Sequence, residues 1–177
     1  MKTFSKLFSL IVLLGVASTT AFAQTSGSDV VAASATIVGS LTVANNADLD
    51  FGDILTSDTP AIAATDANAG SVSVTGATSG QALNVTATFP ATLTDGTPAN
   101  DLTLSTYDIA VRTDGTDDPT GASSPGDEAT SGQDVTGSVT AGGSDIYIYV
   151  GAAITSATNG VAGNTYENDI TVSVDYN

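Results

Sequence analysis

The sequence predicts an all-β protein, a single immunoglobulin-like or pilin-like antiparallel β-sandwich. Three observations carry that prediction. Apolar residues recur at every second position in one segment after another, clusters of Gly, Asn, Asp and Pro separate those segments, and no stretch of the exported part carries a helical stripe. Strand side chains point alternately to two faces, so a period of two with one apolar face is the pattern of a sheet lying on a core. A jelly roll shares this rhythm, and periodicity alone does not separate the two.

The elements follow in chain order. In residues 35–43, Ala35, Ile37, Gly39, Leu41 and Val43 form an apolar or small face against Thr36, Ser40 and Thr42, which predicts a first strand. Leu49 and Phe51 alternate with Asp48 and Asp50 before Gly52-Asp53 breaks the run. Val72 and Val74 mark a short strand, and Leu83, Val85, Ala87 and Phe89 mark a longer one that Pro90 closes. Leu102 and Leu104 share one parity while Tyr107, Ile109 and Val111 share the other, so a bulge is expected near Ser105-Thr106. Val135 and Val139 mark a weak strand around Gly137. Ile146, Ile148 and Val150 form one face of a strong strand with Tyr147 and Tyr149 on the other, and Ile154 extends the apolar side. Ile170, Val172, Val174 and Tyr176 alternate with Thr171, Ser173, Asp175 and Asn177 in a terminal strand. Residues 113–134, polar and acidic with two Pro, read as an exposed loop or ribbon.

The amino terminus sets the compartment. Lys2 and Lys6 precede an apolar run over residues 7–16, and Ala21-Phe22-Ala23 supplies an A-x-A cleavage site, the order of a secretory signal peptide. Residues 1–23 are therefore expected to be removed, residues 24–34 to form a flexible extension, and residues 35–177 to form the sandwich. Export to the periplasm, the cell surface or the medium follows. No later run approaches eighteen apolar residues, so no transmembrane segment is expected in the exported chain.

Charge and missing residue types narrow the chemistry. The chain has 19 Asp and Glu against 3 Lys and Arg, with no Cys and no His. After removal of the leader, 154 residues keep all the acids and one base, Arg112, for a side-chain charge of −18. Nucleic-acid binding needs clustered bases, so it is not expected. Without Cys or His there is no thiolate nucleophile, disulfide, imidazole base or His/Cys metal centre. Carboxylate pairs could hydrolyse glycosides, but the chain lacks Trp, the usual sugar platform, and no enzyme is predicted.

Asp114, Asp117 and Asp118 are the candidate metal ligands, since Ca²⁺ takes several oxygen ligands and closely spaced carboxylates on a turn can supply them. They lack the closing Glu of an EF-hand loop, and a solvated acidic loop is the plainer reading. Asp48, Asp50 and Asp53 form a second acidic group, with Asp48 and Asp50 on an outward face. Gly142-Gly143-Ser144-Asp145 reads as a turn into the following strand. Tyr147 and Tyr149 project from one strand face, as packing or as a subunit contact, and Arg112 is expected to pair with a nearby acid. No cofactor is predicted, with Ca²⁺ kept as the one alternative.

Three segments resemble a known family when taken together: Ser40-Leu41-Thr42-Val43, then Leu49-Asp50-Phe51-Gly52-Asp53-Ile54, and near the end Gly163-Asn164-Thr165-Tyr166 followed by the alternating terminal strand. They are similar to a bacterial family of secreted β-sandwich proteins of unassigned function, marked by an LDFG segment, which in turn resembles spore coat protein U-like and archaic chaperone–usher pilin subunits. The resemblance implies a surface or fimbria-like structural subunit that associates with its own kind or with other surface subunits, with a periplasmic chaperone as a further partner. It also implies completion of one sandwich by a strand from the next. The donor would be residues 29–37, where Val31, Ala33, Ala35 and Ile37 alternate, and the terminal strand with Ile170, Val172, Val174 and Tyr176 would be the second contact element. The chain departs from the pilin pattern in lacking paired Cys, and the donor overlaps the predicted first strand. A monomeric extracellular module binding carbohydrate or calcium is the alternative reading.

Overall fold

In the computed structural model, which describes Ala32 and residues 34–177, two antiparallel sheets face each other across one apolar layer. The first sheet runs β1 (Thr42–Ala47), β3 (Gly70–Thr75), β9 (Ile146–Ser156), β6 (Leu102–Arg112), β5 (Thr92–Leu93), with β2 (Ala61–Ile62) paired to β9 beyond the end of β3. The second runs β10 (Thr171–Tyr176), β4 (Ala82–Thr88), β8 (Asp134–Thr140), β7 (Gly126–Ser131). The compact unit they form spans Ile37–Asn177. The expected leader, the polar start of the extension, Val31 and Ala33 lie outside the described residues.

The alternation that predicts each strand decides which face is buried. Leu83, Val85 and Ala87 of β4, Ile146, Ile148 and Val150 of β9, Ile109 and Val111 of β6, Val135 of β8 and Val174 of β10 meet in the core. Fully burying one such aliphatic side chain is worth about 1.5–3 kcal/mol, so the inner faces supply the main stabilisation. The parity switch in β6 is a bulge: the pairing with β9 jumps between Ser105 and Asp108, and Thr106 sits at φ 55°. That extra residue turns Tyr107 inward, where it stacks on Phe89 with ring centroids 4.8 Å apart. It also turns Asp108 outward.

Several boundaries differ from the expectation. The first strand begins at Thr42, and Ala35 and Ile37 lie outside regular structure, with Ile37 94% exposed. The cause is register. Thr42 stands opposite Thr75, the last residue of β3, so residues before it have no strand across from them. The Gly39 amide donates instead to Thr78 Oγ1 at 2.7 Å. Residues 48–51 form no strand either, because the Asp50 carboxylate accepts the Gly52 amide at 2.8 Å and bends the chain. Their facing nevertheless follows the pattern, with Leu49 and Phe51 packed on the core and Asp48 and Asp50 exposed. The two-residue strands β2 and β5 have no signature in the sequence. The acidic ribbon contains β7, exposed along its whole length.

Candidate functional site

Four strands end the two sheets, and they end them differently. β7 carries Asp127 and Glu128 and a register break between Gly126 and Ala129, features that discourage pairing with another chain. β5 is two residues long, and the Thr94–Glu167 bridge continues its edge. β1 and β10, by contrast, are six-residue edge strands without a bulge on the free side of β10 and without any charge in β1.

Near β1 and β10 the sandwich opens into a groove of about 1510 Å³. Two of the three segments singled out in the sequence, Leu49–Ile54 and Gly163–Tyr166, line it. Residues 48–57 form one wall, with Leu49, Phe51 and Ile54 turned toward the interior. Residues 160–170 form the other. There the Tyr166 hydroxyl accepts the Val161 amide at 2.7 Å while its ring packs on the cluster of Leu102, Leu104, Ile154 and Ala157. This wall is tied to the β5 region by polar contacts: Asn164 Nδ2 donates to Asp95 Oδ2 at 2.7 Å, Asn168 Nδ2 donates to the Thr92 carbonyl at 2.9 Å, and the Thr94 and Glu167 amides each donate to the other's carbonyl at 3.1 Å. Hydrogen bonds from Asn100 and then Asn164 hold the Asp95 carboxyl below the usual carboxylate range. The Leu49–Ile54 and Gly163–Tyr166 segments therefore act here as structural pieces that shape one opening.

The floor of the groove is core. Leu102, Leu104, Val150 and Ile154, all buried, come to its base, and Val172 of β10 lines its side. Ile170, Val172, Val174 and Tyr176 face the interior of the sandwich, so their side chains already pack on the core. What β10 offers a partner is its unpaired main-chain edge. That arrangement can take an extended segment, which would pair with the edge and set alternate side chains on the apolar floor.

The acidic loop is built differently. Arg112 Nε lies 2.9 Å from Asp114 Oδ1, and Arg112 Nη1 lies 3.4 Å from Asp118 Oδ2. The guanidinium and the Thr116 amide hold the Asp114 carboxyl down at about 2. Thr120 lowers Asp118, with Arg112 adding to the effect. Asp117 accepts from the Tyr149 hydroxyl at 3.0 Å, and burial followed by that carboxylate pushes the phenol well above its ordinary range. Each of the three candidate metal ligands thus has a protein donor, and among the described residues no group of three or more acids is placed to hold a metal ion. In the second acidic group Asp48 accepts from Asn45 Nδ2 at 2.8 Å.

Tyr149 is packing: it is 1% exposed, in a satellite cluster with Ala64, Ala69 and Ala110, and Tyr147 packs half-buried against the same cluster. Sequence reasoning missed Asp95, held by the nearby Asn100 and the distant Asn164, and Asp108, whose partner Ala64 lies in a distant loop. It also missed the groove. The signal for the groove was the shared apolar character of two motif segments far apart in the chain. No family model, curated protein or solved structure matches the chain.

Proposed function

We propose that the chain is an exported, non-catalytic structural subunit of a cell-surface or fimbria-like assembly, associating by addition of a β-strand at the β1–β10 opening. One observation carries this reading: apolar core reaches the base of a groove that lies beside an unpaired, uncapped strand edge. A strand placed there would satisfy main-chain groups of β10 and cover the floor together. The resemblance to secreted sandwich subunits and the leader support the same reading.

Within such an assembly the donor is residues 29–37 of a neighbouring copy. The described part of that segment, including Ala35 and Ile37, is exposed and free of regular structure. Electron microscopy of the purified exported chain tests the proposal, with ordered filaments expected. Deleting residues 24–34 should leave a folded monomer that makes none. Filaments from the truncated chain would remove the donor role, and a stable monomer with a measurable sugar or calcium affinity would replace the whole reading with a binding module.

A further inference from the structure

Resting on the strand-addition reading, we propose that the groove also receives, and prefers, a cationic strand from a different protein: an extended segment with apolar residues at alternate positions and Lys or Arg between them. Charge and shape on the same surface point to it. Asp48, Asp50, Asp53, Glu167 and Asp169 stand exposed on the groove walls above the apolar floor, and among the described residues no Lys or Arg lines it. The one base among the described residues, Arg112, is engaged by Asp114 and Asp118. Among the described residues the wall carboxylates therefore have no counter-charge.

The chain's own extension does not supply one, since residues 24–37 contain a single ionisable side chain, Asp29. A second copy also approaches against its own field, because each exported chain carries −18. A strand bearing Lys or Arg meets the opposite situation. It is drawn in by the field, pairs with the β10 edge as any strand would, and places its bases beside the wall carboxylates. Apolar alternation fixes its register, because a slip by one residue would set its bases on the apolar floor.

The test measures binding to the exported chain of nine-residue peptides, each about 30 Å long when extended. All share alternate Val, with two Lys, two Gln or two Glu at the intervening positions; residues 29–37 and a scrambled Lys peptide complete the set. The Lys peptide should bind about fivefold to tenfold more tightly than the Gln peptide at low salt, the advantage of about two exposed ion pairs, and the Glu peptide more weakly than either. The advantage should shrink as salt rises and diminish in the combined variant Asp53→Asn, Glu167→Gln, Asp169→Asn, which leaves Asp48 and Asp50 on the wall. Equal binding by the Gln peptide or by residues 29–37 would overturn the preference while leaving strand addition intact. An undiminished Lys advantage in the variant, or equal binding of the scrambled peptide, would reduce it to bulk charge and overturn it. Failure of every peptide to bind would remove the groove reading itself.

Discussion

Two loops cross the six-stranded sheet, each over a glycine, and they leave opposite surfaces behind. On the outer face, residues 61–64 pass directly over Gly151 of β9. A β-carbon there would collide with the Ile62 carbonyl and lie 2.5 Å from the Ala64 nitrogen. The Asp108 carboxylate takes the Ala64 amide at 3.1 Å, and Tyr149 beside it is sealed. On the inner face, residues 48–51 pass over Gly70 of β3, where a β-carbon would meet Val150 Cγ2 at 2.9 Å and the Leu49 nitrogen at 3.0 Å. This second loop has the half-buried Leu49 and Phe51 as anchors, and the groove opens beside it. The sealed loop is fixed by backbone against backbone and a part-buried polar contact. The open one is held by side chains that can shift.

The β6 bulge sets which residues of this strand enter the core, so putting a charge on the face it turns inward gives the largest effect. Ile109→Asp would place an unpaired carboxylate at a fully buried position beyond the bulge. Loss of folding, or destabilisation above about 4 kcal/mol in urea melts, is expected. A cooperative fold of near-native stability would mean that the bulge does not set the facing of this stretch. Next in size is Gly151→Val, which must lift residues 61–64 and break the Asp108 contact. A cost of about 3 kcal/mol is expected by thermal melting, with earlier exposure of Tyr149.

Gly70→Ala tests the open side and should cost less, about 1 kcal/mol, because Val150 can rotate and the loop can yield toward the groove. The difference between the two glycine variants is the quantity to watch. Equal costs would mean that the groove loop is as rigidly fixed as the sealed one, and a rigid wall fits an entering strand poorly.

How much of this was legible depended on whether the cause was local. β4 and β9 were readable because their alternation is set by their own residues, and the β6 bulge because its parity switch lies within one strand. The start of β1 was not, since it depends on where β3 ends. Tyr149 was readable as packing or a subunit contact on the face opposite Ile146, Ile148 and Val150, but its partner Asp117, thirty-two residues away, was not. The alternation of Ile170, Val172, Val174 and Tyr176 was readable, and the structure packs these side chains on the core. That facing also means that the edge of β10, rather than its side chains, is what a partner meets. A groove arises from which edges become neighbours, and topology rather than pattern decides that.

The smallest effect concerns the acidic loop over Tyr149. Asp114 titrates at about 2 in the folded chain against an ordinary value of 3.8, with Arg112 the first cause. A carboxyl lowered by folding contributes stability above its unfolded value, and that contribution is lost as pH falls from about 4 to about 2. The group is exposed, so solvent and salt keep the contribution small. Carboxyl-carbon NMR should show the Asp114 midpoint near 2. Arg112→Gln should raise that midpoint toward the ordinary value and flatten the acid limb of the stability curve, leaving Gly70→Ala and Gly151→Val costs unchanged. An unmoved midpoint would assign the shift to the Thr116 amide, and the loop sealing Tyr149 would then owe its order to backbone turns and the Tyr149–Asp117 bond rather than to Arg112, the one base among the described residues.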